Sequence, residues 1–207
     1  MIFVVDNYDS FTWNLVQALG RLDPEIEVAR NDRFDPEAVA RRRPAAVVIS
    51  PGPGRPEEAG RSMEMIGVAV RERLPLLGVC LGHQAIGAFC GARVERAAPR
   101  HGRSSRVSHD GRDLFDGLPN PFDAARYHSL VVREEGLPAP LEVRARSDDG
   151  LVMGLSHRAA PVYGVQFHPE SVLTPHGEKL LANFIALAAA SASRSPEAAG
   201  RGTERRS

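Results

Sequence analysis

Apolar positions along the chain follow two rhythms, and the change between them falls near Gly91. In the first half, short aliphatic runs alternate with stretches of helical spacing. "IFVVD", residues 2–6, predicts a strand, and "IEVAR", residues 26–30, predicts a second. "AAVVIS", residues 45–50, predicts a third, apolar enough to be buried on both faces, and Leu76–Val79 predicts a fourth. After the first strand, Phe11, Leu15, Val16 and Leu19 recur at helical spacing, with Ser10 or Thr12 as the cap and Gly20 as the stop. Asp35-Pro36-Glu37 carries the signals of a helix start: a capping side chain, a proline at the first helical position and an early acid. Residues 58–73 are also patterned as a helix, and Pro51 to Pro56 form a rigid loop before it. This βαβα order predicts an α/β fold, a mostly parallel central sheet with helices on both faces.

Beyond Gly91 the pieces turn strand-like: "RVSHDGRDLF", "LVVREEG", "LEVRARSDDGLVMGLSH" and "VYGVQFH", separated by Gly, Asp and Pro. Asp149-Gly150 between two such runs is a hairpin signal. The expectation is a set of antiparallel strands added to the parallel core. A last helix is expected over residues 177–189, closing a single domain of residues 1–189. Residues 190–207, polar and turn-rich, are expected to form a disordered tail.

Composition narrows the function classes. Acidic and basic side chains balance at 26 each, so no overall field favours nucleic acid or a membrane surface. The two cysteines, Cys80 and Cys90, are too few for a disulfide framework, which favours the reducing cytoplasm. "MIFVVDNYDS" has no basic leader and few apolar residues before Asp6, so neither a signal peptide nor an anchor is expected. No apolar run approaches membrane-spanning length.

The first candidate for chemistry is Gly78-Val79-Cys80-Leu81-Gly82, at the predicted junction of a strand and a helix. Gly-x-nucleophile-x-Gly is the pattern of a nucleophile elbow, in which glycines let strand and helix approach closely. The helix N-terminus then faces the cysteine and favours a thiolate. The Leu81 N–H would point to where an oxyanion forms. Alone, the stretch also fits a buried structural cysteine; the two glycines argue against that. Cys90 falls in the apolar pattern of the following helix and reads as core.

A cysteine nucleophile needs a base, and the base needs a group to orient it. His168 ends a strand-like run in "GVQFHPES", and Glu170, past Pro169, is spaced to hold one imidazole nitrogen. Standing alone, "HPE" would read as a solvent-facing turn. His83 reads as structural. In "SPGPGRPEEAG", residues 50–60, prolines stiffen a turn while Gly52 and Gly54 expose backbone N–H groups. The Gly-Lys-Ser/Thr element of a phosphate loop is absent.

Taken together, "DNYDSFTWNL", "SPGPGRPEEAG", "LGVCLGHQAI", "RYHSLVV" and "GVQFHPESVLTPHG" resemble the class I, triad-type glutamine amidotransferases. The likeness covers about residues 1–188 and is nearest to the small subunits of anthranilate synthase and aminodeoxychorismate synthase. It implies a flavodoxin-like sheet. It further implies Cys80 as nucleophile, His168 as general base and acid, and Glu170 as the group orienting His168. Gly54 and Leu81 would donate the oxyanion N–H groups. Gly52, Pro53, Gln84, Ser129 and Leu130 would shape a site for L-glutamine. "DNYDSF" is expected to act as scaffold near the elbow or at a subunit interface. Arg103, in "HGR", stands where the family often has lysine, which puts a partner-facing contact in question.

The implied partner is a chorismate-binding synthase large subunit, itself requiring magnesium, while this subunit carries no metal or organic cofactor. Ammonia released from glutamine would be used to make anthranilate for tryptophan, or 4-amino-4-deoxychorismate for folate, or both. Two other classes share some of these features. A γ-glutamyl peptidase would use the same triad, and a non-catalytic regulatory subunit would have lost it; Cys80, His168 and Glu170 are all present.

Overall fold

The four strands expected in the first half form in the expected order. In a computed structural model, which describes residues 1–23, 25–97 and 103–193, they are β1 (Ile2–Asp6), β2 (Ile26–Arg30), β3 (Ala46–Ile49) and β4 (Leu76–Val79). Helices α1 (Thr12–Gly20), α2 (Pro36–Arg41) and α3 (Ser62–Glu72) connect them, and α4 (Leu81–Phe89) follows β4. The second half adds β5 (Val94–Arg96), β6 (Arg103–His109), β7 (Phe122–Arg126), β8 (Leu130–Val132), β9 (Leu141–Ser147), β10 (Val152–His157), β11 (Val162–Val165) and α5 (Gly177–Ser193).

Among the described residues, nine strands make one sheet in the order β2-β1-β3-β4-β11-β10-β9-β6-β7. The stretch from β2 to β11 is parallel, and β10, β9, β6 and β7 continue it antiparallel. β5 and β8 form a separate two-stranded ribbon.

Alternation along the parallel strands builds a core on each face. Ile2, Val4, Val48 and Leu77 point to one side, where they pack with Leu15 and Leu19 of α1 and Leu180, Leu181 and Phe184 of α5. Phe3, Val5, Val47 and Leu76 point to the other, against Val39, Met65, Ile66 and Ile86 of α2, α3 and α4. Each such side chain, fully buried, contributes about 1.5–3 kcal/mol of hydrophobic stabilisation.

Several local expectations need correction. Neither Ser10 nor Thr12 caps α1. The Thr12 hydroxyl instead donates to Asp6 Oδ1 at 3.0 Å, and no side chain caps the helix. Gly20 ends that helix, as expected. Asp35 does cap α2, its carboxylate accepting from the Glu37 N–H at 3.2 Å. The helix patterned over 58–73 divides into a short 3-10 turn at Pro56–Glu58 and α3. The Asp149-Gly150 hairpin forms, with Gly150 at φ +76° and its N–H on Ser147 O. Cys90 lies just past the end of α4 and is half-buried rather than core; burial raises its thiol pKa. α5 runs to Ser193, past the expected 189. The rest of the expected tail, residues 194–207, lies outside the described residues. So do His101 and Gly102 of the "HGR" departure, and Arg103 is described only as strand backbone.

Candidate active site

β4 ends where two glycines are sterically required. A Cβ at Gly78 would lie 2.5 Å from the Gly82 carbonyl, and one at Gly82 would lie 2.5 Å from Ile49 O. Between them Cys80 takes φ 52° and ψ −97°, a positive φ that non-glycine residues adopt only under strain. Its own N–H bonds Val165 O at 2.8 Å, tying the turn to β11. Its carbonyl accepts from Gln84 N at 3.1 Å, the first bond of α4. Leu81, at the first helical position, therefore carries one of the N–H groups for which the helix has no internal acceptor.

β11 runs parallel to β4 and delivers the second group. His168 lies just beyond its end, and the Glu170 carboxylate meets His168 Nδ1 at 2.7 Å. Both side chains are buried. Nε2, the other ring nitrogen, has no aligned hydrogen bond but is close enough to Cys80 for the two to interact. Resting catalytic contacts are often this loose and tighten around substrate. The ring is held edge-on between Phe11, at 5.2 Å between centroids, and Tyr127, at 5.0 Å. Its backbone is pinned as well. Thr174 Oγ1 donates to His168 O at 2.7 Å and accepts from Ala125 N at 2.9 Å, and His168 N bonds Ala125 O at 3.1 Å.

Burial pushes the His168 pKa down, but the contacts with Cys80 and Glu170 outweigh it and raise the pKa to about 10. A group raised in this way loses its proton only as the pH rises through the raised value. Glu170→Gln removes one of the supports, so the alkaline limb of the kcat/KM profile of any reaction that uses this imidazole should move to lower pH by about one unit or more. An unmoved alkaline limb would mean that Glu170 does not hold the imidazolium.

A third wall comes from the loop after β3. Asn7 pins it: its N–H bonds Ser50 Oγ at 2.9 Å and its Nδ2 bonds Ser50 O at 2.8 Å. Asn7 Oδ1 in turn accepts from Asn31 Nδ2 at 3.0 Å and Ser62 Oγ at 2.9 Å. Buried Asp6 supports the same corner by accepting from Tyr8 N and pairing with Arg30 at 2.9 Å. The "DNYDSF" segment is thus scaffold for the loop. Gly52 passes so close to Asn7 and Leu81 that a Cβ there would lie 2.5 Å from Asn7 Cβ. Gly54 follows at φ +79°.

Gly52, Pro53, Gly54, Cys80, Gln84, Ser129 and Leu130 all line one cavity of about 160 Å³, together with Tyr127 and His128. Leu81 lines a neighbouring cavity with Pro53 and Asn7. His83 is fully buried beside Gly164 and kept from protonation by burial, with a pKa near 4, so it stays out of this cavity.

Sequence reasoning did not single out Gln166, Tyr127, His128 or Thr174. Gln166 is fully buried; its Nε2 lies 3.6 Å from Cys80 Sγ, and its Oε1 accepts from Gln84 Nε2 at 3.1 Å. A glutamine and a threonine inside otherwise apolar or turn-like blocks were the available signals. Among the described residues, no group of three or more His, Cys, Asp or Glu is placed to hold a metal ion. None of the described helices is long and apolar enough to cross a membrane.

A strained cysteine at a helix N-terminus, beside a buried histidine–carboxylate pair, is an arrangement for acyl transfer. Comparison with known proteins agrees. The profile of glutamine amidotransferase class-I matches residues 3–188. Anthranilate synthase component 2 of Azospirillum brasilense is 51% identical over 186 residues, 89% of this chain and 95% of that protein. Aminodeoxychorismate/anthranilate synthase component 2 of Bacillus subtilis is 47% identical, with the same two coverages of 89% and 95%. The bifunctional protein TrpGD of Thermotoga maritima is 52% identical, but the chain spans only 32% of its length. Among solved structures, a putative GMP synthase subunit from Thermoplasma acidophilum superposes with a TM-score of 0.80 at 27% identity, covering 93% of this chain and 95% of that one. The chain belongs to the class I glutamine amidotransferase family.

Proposed function

We propose that this chain is the glutaminase subunit of a chorismate-using synthase, releasing ammonia from L-glutamine for a partner that makes anthranilate. The observation that carries the reading is the single cavity in which Cys80 meets both the 52–54 loop and the 128–130 loop, with His168 and Glu170 behind it.

In this reading the Cys80 thiolate attacks the side-chain carboxamide carbon of glutamine. The Leu81 and Gly54 N–H groups hold the oxyanion. His168 gives its proton to the leaving nitrogen, the C–N bond breaks, and ammonia departs from a γ-glutamyl thioester. His168 then takes a proton from water, the hydroxide attacks the thioester carbon, and glutamate leaves as the thiolate is restored. Glu170 keeps the imidazole oriented and supports its charged form. Gly52, Pro53, Gln84, Ser129 and Leu130 shape the glutamine site. Both N–H groups of Gln84 are engaged, by Leu130 O at 2.9 Å and by Gln166, which leaves its carbonyl oxygen for a ligand. None of these steps needs a cofactor in this chain; magnesium belongs to the partner. The reading places the protein in the cytoplasm, in keeping with two free cysteines.

A second reading keeps the chemistry and changes the partner. Component 2 proteins of aminodeoxychorismate synthase are nearly as similar, at 48% identity for that of Escherichia coli. Mixing the purified chain with each type of synthase large subunit, chorismate and glutamine decides between them. Anthranilate is the expected product. Formation of 4-amino-4-deoxychorismate alone would support the second reading. Hydrolysis of γ-glutamyl peptides with no product from either mixture would contradict both.

A further inference from the structure

Arg126, at the end of β7, is fully buried, which is costly for a guanidinium unless its charge and N–H groups are engaged. Its Nη1 reaches Asp149 Oδ1, at the tip of the β9–β10 hairpin, at 2.8 Å and Ser105 Oγ at 3.0 Å. Its Nε reaches His128 Nε2 at 3.2 Å. Arginine has donors only, so His128 Nε2 must be the acceptor and the ring proton must sit on Nδ1. Nδ1 lies 3.1 Å from Leu130 O, to which it donates. That same carbonyl accepts from Gln84 Nε2, and Gln84 leads through Gln166 to Cys80 Sγ. Burial, reinforced by Arg126, holds the His128 pKa near 3, so the ring stays neutral and keeps this tautomer.

We infer that Arg126 and His128 are positioning residues: a strut, anchored on Asp149, that fixes the Leu130 carbonyl and with it the 128–130 wall of the glutamine cavity. The inference rests on the proposed glutamine hydrolysis. With two donors on it, the Leu130 carbonyl has no lone pair left for the substrate. Its role is to set the orientation of the peptide that the substrate meets. Loss of the strut should therefore weaken substrate capture more than it slows bond breaking.

Replacing Arg126 would empty a fully buried position and remove its contacts with Asp149, Ser105 and His128 at once, so the test is made at His128, in the complex with the synthase partner. His128→Ala should raise the glutamine KM about tenfold and change kcat far less. His128→Asn, which still offers an N–H near the Nδ1 position, should recover most of that loss. Iodoacetamide, which does not use the 128–130 wall, should alkylate Cys80 in both variants at the wild-type rate. An unchanged KM in His128→Ala, an Asn variant as poor as the Ala variant, or a fall in kcat with KM unchanged would each overturn the strut. Failure of the wild-type complex to hydrolyse glutamine would instead overturn the functional reading beneath it.

Discussion

Cys80→Ser should reduce glutamine-dependent synthesis by the complex on the order of 10⁴-fold or more, while synthesis from ammonium salts continues at the wild-type rate. The size of the effect follows from the site. A serine hydroxyl in the same strained turn keeps the geometry and the Leu81 amide but is a far weaker nucleophile than a thiolate. His168 is held by Glu170 in its protonated form, which suits a thiolate neighbour and is a poor base for an alcohol. The ammonium arm isolates the chemistry, because the partner receives ammonia whatever its source. A variant that still used glutamine would remove Cys80 from the mechanism. Equal loss of both activities would place the residue's role in assembly.

His168→Asn should lower kcat for glutamine about 10³-fold with little change in KM. His168 is 2% exposed and does not line the glutamine cavity, so it adds little to substrate binding. Its proton matters when the C–N bond breaks, and again when water is activated. Asparagine fits between Phe11 and Tyr127 and accepts no proton. Steady-state kinetics on the complex separate the two terms. A large rise in KM at unchanged kcat would show that His168 binds substrate rather than moving protons.

The parts of this fold that were legible in the sequence are those fixed by local pattern. Continuous aliphatic runs marked β1, β3 and β4 because those strands are buried on both faces, the alternating "IEVAR" marked the edge strand β2, and Asp35-Pro36 marked α2 because its cap is local. β7, "FDAAR", escaped notice because alanine and aspartate carry little strand propensity and its pairing with β6 is decided in space. Thr12 misled for a related reason: a threonine near a helix start reads as a cap, but the buried Asp6 carboxylate competes for it.

The site divides in the same way. Gly78 and Gly82 pointed to Cys80 because the elbow is made of neighbours in sequence. The pairing of His168 with Glu170 was likewise legible from two residues' spacing. The companions that hold the site in place were not. Asn7 meets Ser50 across 43 positions, and Thr174 meets Ala125 across 49. Gln166 approaches Cys80 across 86. Such contacts exist only once the parallel strands have brought their C-terminal ends together, where ligand sites of open α/β sheets form.

In the proposed mechanism one cysteine, in this cavity, attacks glutamine. That attack is tested most directly by treating the complex with the electrophilic glutamine analogue 6-diazo-5-oxo-L-norleucine and mapping the adduct by peptide mass spectrometry. A single adduct on Cys80 is expected, prevented by L-glutamine and absent from Cys80→Ser. An adduct on Cys90, or no adduct on Cys80 in the assembled complex, would contradict it.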